Sequence, residues 1–249
     1  MRALITNDDG IQSVGIHTLT RVALAAGLDV TVAAPHLERS GSSAAMSALE
    51  AGGKLLVERL SLDGLDDVAA LAVQATPAMI VFAAARGAFA EPPEVVLSGI
   101  NHGPNTGQAI LHSGTVGAAL TAASHGLPAL ALSLATSRPT HWDTAADVSG
   151  RALKWFLGNV SDGYALNVNV PDIPAAEVRG LRRGALASFG AVQANIGERG
   201  HGFVTMTFEV IDAEPAPNTD VALLRDGFAS ATLLQAPCEA TAIDLAGLG

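Results

Sequence analysis

The sequence predicts an α/β fold with a doubly wound, mostly parallel sheet and a β-rich C-terminal lobe. Apolar strands alternate with amphipathic helices up to about residue 171, which is typical of parallel sheets with crossover helices. Apolar residues make up 49% of the 249-residue chain and charged residues 15%, a composition typical of a globular protein. Beyond residue 172, Pro-rich turns and the alternating run at 203–211 indicate hairpins and extended arms. We therefore predict one domain at 1–171 and a C-terminal region at 172–249.

The first 35 residues predict a βαβ unit. Residues 2–6 form a short apolar run typical of a buried strand, and from Ser13 the apolar positions follow a helical period. Gly27 is a typical residue after the end of a helix, and 29–34 predict a second strand that ends at Pro35. This order predicts two parallel strands joined by a right-handed crossover.

The alternation of strands and helices continues along the chain. Thr76 followed by Pro77 is typical of an N-cap and the first position of a helix. The remaining predicted strands are 54–59, 68–74, 94–100, 128–134 and 164–171, and the remaining predicted helices are 77–86, 114–125 and 142–157.

Charge and composition argue against several classes of protein. The net charge is −10, from 24 acidic and 14 basic residues, so the phosphates of a nucleic-acid polymer would be repelled. Cys238 is the single cysteine, which excludes an intrachain disulfide. Asp8 and Asp9 interrupt any signal-peptide core, and no apolar stretch approaches the ~20 residues of a membrane span. We expect a cytoplasmic protein that has no membrane partner.

Polar residues follow three predicted strands, at the ends where parallel sheets bind ligands. The first strand runs into Asn7, Asp8, Asp9 and Gly10, and the second is followed by APHLERSGSS. The strand at 94–100 runs into an asparagine and a glycine-rich stretch. We expect these three segments to meet at one edge of the sheet.

Asp8 and Asp9 predict a cation site. Two unit charges at ~4 Å repel by about 4 kcal/mol at an effective dielectric near 20, so the pair alone is unsuited to a phosphate. Carboxylate, hydroxyl and amide oxygens are the ligands that Mg²⁺, Mn²⁺ and Ca²⁺ prefer, and Gly10 lets the backbone turn sharply. The alternative is an ordinary turn in which Asp9 caps a helix.

The stretch 100–120 predicts an anion site. Ser113 can cap a helix that begins at Gly114, whose free N–H groups would bind an anion. Asn101 and Asn105 can offer an amide oxygen to a metal or an amide N–H to a phosphate. The alternative is a glycine-rich loop before a capped, tightly packed helix.

Three common motifs are absent from the sequence. No G-x-G-x-x-G follows the first strand, and no G-x-S-x-G occurs. Ile11 stands where an aspartyl-phosphate hydrolase of the haloacid dehalogenase type would place its second acid. The sequence therefore disfavours a dinucleotide-binding enzyme, a serine hydrolase and an aspartyl-phosphate hydrolase.

Four motifs stand in order along the chain: NDDGIQSVGI (7–16), AP-x₃-RSGSS (34–43), SGINHGPNTG (98–107) and SGTVGAA (113–119). Together they resemble the SurE family, the stationary-phase survival nucleotidases. The resemblance implies a Rossmann-like N-terminal domain and a C-terminal part used in dimers or tetramers. It also implies metal-dependent hydrolysis of nucleoside 5′- and 3′-monophosphates.

The resemblance assigns roles to individual residues. The implied ligands of one divalent ion per subunit, Mg²⁺ or Mn²⁺ (or Ca²⁺ in a crystal), are Asp8, Asp9, Ser40 and Asn101. The implied phosphate pocket consists of Asn105, Ser113, Gly114 and Thr115. The residues implied to carry catalysis are Asp8, Asp9, Asn105, Ser113 and Thr115.

The chain departs from the family pattern outside the implied metal ligands. His112 stands where the family usually has a tyrosine, and Leu120-Thr121-Ala122 replaces a methionine-like residue followed by Glu-Gly. These departures bear on substrate preference and pocket shape more than on catalysis.

The expected reaction is direct hydrolysis by an activated water, and several alternatives stay open. Asp8 is either a ligand alone or also the base, and His102 and His112 are either proton donors or solvated loop residues. The chain could instead be a non-catalytic nucleotide-binding scaffold, or a metal phosphatase of sugar phosphates or polyphosphate. The expected partners are a small-molecule nucleotide and, from the extended run 203–234, further copies of the chain in a homodimer or homotetramer.

Overall fold

A computed structural model describes residues 1–48, 50–51, 54–189, 192–200, 203–210 and 214–237. Its strands are β1 (Arg2–Thr6), β2 (Asp29–Pro35), β3 (Glu50–Ala51), β4 (Lys54–Leu55), β5 (Val57–Leu60), β6 (Ala69–Val73), β7 (Val95–His102), β8 (Ala129–Leu134), β9 (Tyr164–Val170), β10 (Leu181–Arg183), β11 (Val192–Gly200), β12 (Phe203–Val210) and β13 (Ala229–Gln235). Its α-helices are α1 (Val14–Ala25), α2 (Pro77–Ala84), α3 (Gly114–Ser124), α4 (Trp142–Asn159) and α5 (Asp220–Arg225). Two 3₁₀ helices span Gly107–His112 and Ala175–Glu177.

Nine strands form one mixed, mostly parallel sheet in the order β10-β13-β9-β8-β7-β1-β2-β6-β5. The pairs from β6 through β2, β1, β7 and β8 to β9 are all parallel. This confirms the predicted α/β class and the parallel centre of the sheet. An antiparallel pair lies at each end of this parallel region: β5 with β6 at one end and β13 with β9 at the other.

The antiparallel edge at β5 has a simple cause. The connection 61–68 between β5 and β6 is shorter than the dozen or so residues that a parallel crossover needs. The strand predicted at 54–59 is also divided, since β4 ends at Leu55 and β5 begins at Val57. β4 pairs with β3 in a small sheet of its own.

Helices cover both faces of the main sheet. One hydrophobic cluster joins α1 and α4 to the sheet, and a second joins α2 and α3 to its other face. Ser13 caps α1 by accepting a hydrogen bond from the N–H of Ile16 at 3.4 Å, and Gly27 follows the end of the helix with φ +78°. The helix thus begins and ends where the sequence predicted. None of the helices in the described ranges is long and apolar enough to cross a membrane.

The chain beyond residue 171 contributes to two sheets. β10 and β13 extend the main sheet, whereas β11 and β12 pair antiparallel as a separate two-stranded sheet. β12 corresponds to the alternating run predicted at 203–211, although residue 211 lies outside the described residues, as does Cys238. The division of the chain at residue 171 stays a prediction.

Candidate active site

The carboxyl end of β1 turns into α1 through buried polar residues. Asn7 is fully buried, and its amide group donates to the carbonyl of Gly10 at 3.0 Å and to the hydroxyl of Ser13 at 2.7 Å. Gly10 has φ +96°, a conformation that favours glycine. Because β1 lies between β2 and β7, this turn holds Asp8 and Asp9 at the centre of the sheet edge.

Asp8 is joined to the stretch 100–120 by a hydrogen bond. Its side chain is buried, with 4% of the residue exposed, and the hydroxyl of Thr115 donates to its Oδ1. The same hydroxyl oxygen lies 3.4 Å from Oδ1 of Asn101. Three residues predicted for the site, from two separate segments, therefore converge around one hydroxyl group.

Gly114 brings the second and third segments together. A Cβ added to Gly114 would lie 2.7 Å from Asp8 Oδ2 and 2.7 Å from the hydroxyl oxygen of Ser42. Ser113 caps α3, since its hydroxyl accepts from the N–H of Val116 at 3.0 Å. The first turn of α3 thus faces Asp8 without a side chain between them, and the three segments meet as the sequence predicted.

Burial perturbs both acids. Burial raises the pKa of Asp8 above its ordinary value, although the hydrogen bond from Thr115 opposes the shift. The pKa of Asp9 is raised to about 6, chiefly by burial, while the neighbouring His102 lowers it and the charge of Asp8 raises it. The N–H of His102 donates to Asp9 Oδ2 at 3.2 Å, and its ring Nδ1 lies 3.9 Å from Asp9 Oδ1. Desolvated neighbouring carboxylates of this kind are typical of cation sites and of catalytic centres.

The oxygen atoms at this edge fit a hard divalent cation. Within the described part of the chain, none of the ion pairs involves Asp8, so its buried carboxylate has no cationic side chain beside it. No three His, Cys, Asp or Glu side chains gather at one point among the described residues. A metal here would therefore take two carboxylates together with neutral oxygens such as Asn101 Oδ1, which is the donor chemistry of Mg²⁺ and Mn²⁺.

Ser40 lines the same cleft as Asp9. The cleft is lined by both residues together with His102 and Glu38. Ser40 is exposed, and its hydroxyl donates to Glu38 Oε1 at 2.6 Å. A hydroxyl that donates its hydrogen keeps oxygen lone pairs free for a cation, so its predicted ligand role stays a prediction.

Asn105 lies in a buried network that the sequence did not predict. Its amide group donates to the hydroxyl of Ser133 at 2.9 Å, and its backbone N–H donates to Asn169 Oδ1 at 2.7 Å. Its carbonyl oxygen accepts from the amides of Asn167 at 2.8 Å and Asn169 at 2.9 Å. The network anchors the loop that precedes α3, and a phosphate contact by Asn105 stays a prediction. The sequence feature that could have indicated this network is the pair Asn167 and Asn169, which interrupts the apolar pattern of β9.

Two further residues near the site were missed. Ser42 has a buried hydroxyl oxygen that finds no hydrogen-bond partner among the described residues, and this oxygen packs against Gly114. Trp142 packs against His102 with 5.4 Å between ring centroids. His112, by contrast, is exposed, which leaves its predicted alternatives open.

Together, the fold and the site define a class. This is an α/β protein whose central sheet edge combines buried carboxylates, suited to a divalent cation, with a capped helix N-terminus, suited to an anion such as phosphate.

The comparisons identify the family within that class. The family model described as "Survival protein SurE" matches residues 3–192, and the chain belongs to the SurE family.

Similar proteins match along almost the whole chain. A protein named "5'-nucleotidase SurE" from Gloeobacter violaceus is 36% identical over 239 residues, which cover 94% of this chain and 90% of that protein. A protein of the same name from Synechococcus elongatus is 35% identical over 246 residues, covering 94% and 93%. The crystal structure of the SurE protein from Aquifex aeolicus superposes with a TM-score of 0.78 at 28% identity, covering 96% of this chain and 95% of that one.

Proposed function

We propose that this chain is a divalent-metal-dependent phosphomonoesterase that hydrolyses nucleoside 5′- and 3′-monophosphates to nucleoside and phosphate. The observation that carries the proposal is the convergence of Asp8, Asn101 and the first turn of α3 on the hydroxyl of Thr115. Relatives named "5'-nucleotidase SurE" support the nucleotide as substrate.

Four residues would hold the metal: Asp8, Asp9, Ser40 and Asn101. When bound, Mg²⁺ or Mn²⁺ supplies a Lewis acid for a phosphoryl oxygen and lowers the pKa of a coordinated water. The buried carboxylates of Asp8 and Asp9 would provide the negative charge that such an ion requires.

The first turn of α3 would receive the phosphate group. The N–H of Val116 donates to the Ser113 hydroxyl, and the backbone N–H groups of Gly114 and Thr115 face Asp8 and oppose the rise of its pKa. These two N–H groups would turn to the phosphoryl oxygens when the substrate binds and would stabilise negative charge in the transition state. Gly114 allows Asp8 and Ser42 to approach the first turn of α3 closely, because a Cβ at this position would lie 2.7 Å from Asp8 Oδ2 and 2.7 Å from the hydroxyl oxygen of Ser42. The hydroxyl of Thr115 would hold Asp8 in place.

The finer architecture is also proposed. Residues 1–171 would form a Rossmann-like catalytic domain, and 172–249 would include the surface through which the chain forms a homodimer or homotetramer. A cytoplasmic location stays a prediction.

Phosphate release tests the proposed function. Purified protein would be incubated with nucleoside 5′- and 3′-monophosphates, sugar phosphates and polyphosphate, each with Mg²⁺, with Mn²⁺ and with a strong chelator. We expect release from both nucleotide classes that the chelator abolishes. Nucleotide binding without any release would favour the non-catalytic scaffold. Release from sugar phosphates or polyphosphate but not from nucleotides would favour the other phosphatase.

A further inference from the structure

A buried carboxylate in the C-terminal region contacts the segment that leads into the candidate phosphate pocket. Asp220, the first residue of α5, is 0% exposed. Its Oδ2 accepts a hydrogen bond from the backbone N–H of Gly107 at 2.8 Å, although the two residues are 113 positions apart. Gly107 begins the 3₁₀ helix Gly107–His112, which runs directly into Ser113.

The other oxygen of Asp220 is also satisfied by backbone donors. Oδ1 accepts from the N–H of Ala187 at 3.0 Å and from that of Val221 at 2.9 Å. Among the residues that the structure describes, no Arg, Lys or His side chain forms an ion pair with Asp220. A carboxylate is costly to bury unless hydrogen bonds replace its water, so these three backbone groups define its position closely.

Gly107 packs closely against the backbone of Phe189 because it has no side chain. Its φ is +53°, and a Cβ at this position would overlap the backbone carbonyl oxygen of Phe189. The backbone around 187–189 therefore packs directly on Gly107. Asn105 is anchored separately by Ser133, so Asp220 holds the start of the 3₁₀ helix in particular.

We propose that Asp220 is a positioning residue for the phosphate pocket. Through Gly107 it fixes the segment 107–112, and thereby the Ser113–Thr115 turn that receives the phosphate group of the substrate. The inference rests on the proposed function, because it assigns Asp220 to the same site. Asp220 itself does not touch the substrate.

Asp220→Asn is expected to remove the hydrogen bond with Gly107 and to keep those with Ala187 and Val221. An amide has one acceptor oxygen, and that oxygen is best retained where it accepts two hydrogen bonds, from Ala187 and Val221. The amide N–H₂ would then face the N–H of Gly107, and that hydrogen bond would be lost. We expect faster hydrogen exchange in the backbone of 105–116.

The same variant should bind phosphate more weakly. We expect the dissociation constant for inorganic phosphate, measured by calorimetry with Mn²⁺ present, to rise roughly tenfold, as for the loss of one charge-assisted hydrogen bond. The KM for a nucleoside monophosphate should rise by a similar factor with a smaller change in kcat, because ground state and transition state lose the same contact.

Thr219→Ala is the matched control. It removes the neighbouring cap of α5, whose hydroxyl accepts from the N–H of Ala222 at 3.3 Å, and it leaves the bond between Asp220 and Gly107 in place. We expect a lower melting temperature with unchanged phosphate affinity and unchanged exchange in 105–116. If Asp220→Asn does not fold, Gly107→Ala takes its place, because the added Cβ separates the segment from Phe189.

Each result decides between positioning and a purely structural role. Unchanged phosphate affinity in a folded Asp220→Asn or Gly107→Ala protein would overturn the proposal, as would an equal change in Thr219→Ala. If the wild-type protein binds phosphate but releases none from nucleotides, the proposed function fails. The comparison of phosphate affinities then still decides the role of Asp220.

Discussion

Thr115 donates the hydrogen of its hydroxyl to Asp8, 107 positions earlier in the chain. The bond ties the first turn of α3 to the carboxyl end of β1. Since the proposed cation site includes Asp8 and the proposed anion site includes the backbone at Thr115, a shift of either partner should disturb both sites at once.

Gly114→Ala should disturb both sites. The added Cβ would lie 2.7 Å from Asp8 Oδ2 and 2.8 Å from Asp8 Cβ, so α3 and the turn that follows β1 must move apart. We expect the free energy of unfolding to fall by about 1–3 kcal/mol, as for other overpacked sites. Nucleotidase turnover should fall on the order of a hundredfold, because a displacement of about 1 Å at a catalytic centre has that effect. Urea unfolding and phosphate release check the two quantities.

Gly150→Ala provides the control for Gly114→Ala. Gly150 lies inside α4, and among the described residues an added Cβ there meets nothing within 4 Å apart from its chain neighbours and its own helix backbone. Alanine is favoured over glycine in a helix interior by about 1 kcal/mol, so this variant should gain stability and keep full activity. A Gly114→Ala protein that also gains stability and stays active would show that the close approach of Asp8 to α3 has no role.

Asp172 should make stability depend on pH. Burial alone would raise the pKa of Asp172, but hydrogen bonds from the backbone and side chains of His141 and Thr140 outweigh it and hold the pKa below the ordinary value of 3.8. The native state therefore favours the charged form. Its contribution to stability is present above the unfolded pKa of about 3.8 and is lost as the pH falls through the lower folded pKa.

Urea unfolding of Asp172→Asn at neutral and acidic pH measures this contribution. We expect the variant to be less stable than the wild type by about 1–3 kcal/mol at pH 7, with a smaller difference at a pH below 3.8. Asp162→Asn, at an exposed turn, should show no comparable difference at either pH. A difference for Asp172→Asn that stays constant with pH would mean that its hydrogen bonds do not depend on ionisation.

Elements with local signals were predictable from the sequence. Ser13 and Gly27 bound α1 because capping and left-handed termination depend on the residue itself. The antiparallel directions of β5, which pairs with β6, and of β13, which pairs with β9, were not predictable in the same way. The direction of a strand is set by its connections and by its tertiary partners. β13 pairs with β9 after a long excursion through α5 and the β11–β12 hairpin.

In the candidate site, too, some features were predictable from the sequence and others were not. The proximity of the segments that contain Asp8 and Thr115 was predictable, because parallel strands present their carboxyl ends at one edge of the sheet. The buried partners of Asn105 and the bond between Asp220 and Gly107 depend on hydrogen bonds between distant segments. In the sequence, such a pair is visible only as a polar residue among apolar ones, and this pattern does not identify the residue with which it pairs.

The β11–β12 hairpin should form part of an interface between copies of the chain. Ile196 is 60% exposed and Val204 56%, on a two-stranded sheet separate from the main sheet. An isolated two-stranded sheet is marginally stable, so a partner surface would stabilise it. Sedimentation at micromolar concentration should show at least a dimer, and changing both residues to glutamate should shift the protein toward monomer. A wild-type protein that sediments only as a monomer would contradict the expectation.

Asp9→Asn tests the metal site most directly. The amide keeps nearly the shape of the carboxylate and can still accept the hydrogen bond that Asp9 Oδ2 receives from the N–H of His102 at 3.2 Å. It removes one negative charge from a site where burial already disfavours charge, so the metal-free protein should melt no lower than the wild type. Metal affinity should fall by at least about a hundredfold, as expected for a ligand rather than for a residue behind one. Hydrolysis should nearly stop.

The measurement is phosphate release from a nucleoside monophosphate across a titration of Mg²⁺ or Mn²⁺, with calorimetry of metal binding and a melting curve for each variant. Asp8→Asn should lose activity in the same way, and more severely if Asp8 is also the base. If Asp9 served only as a turn residue, asparagine would replace it almost silently, since it is also favoured in turns and caps. Full activity of Asp9→Asn, or wild-type activity that a strong chelator leaves unchanged, would therefore remove Asp9 from the proposed metal site.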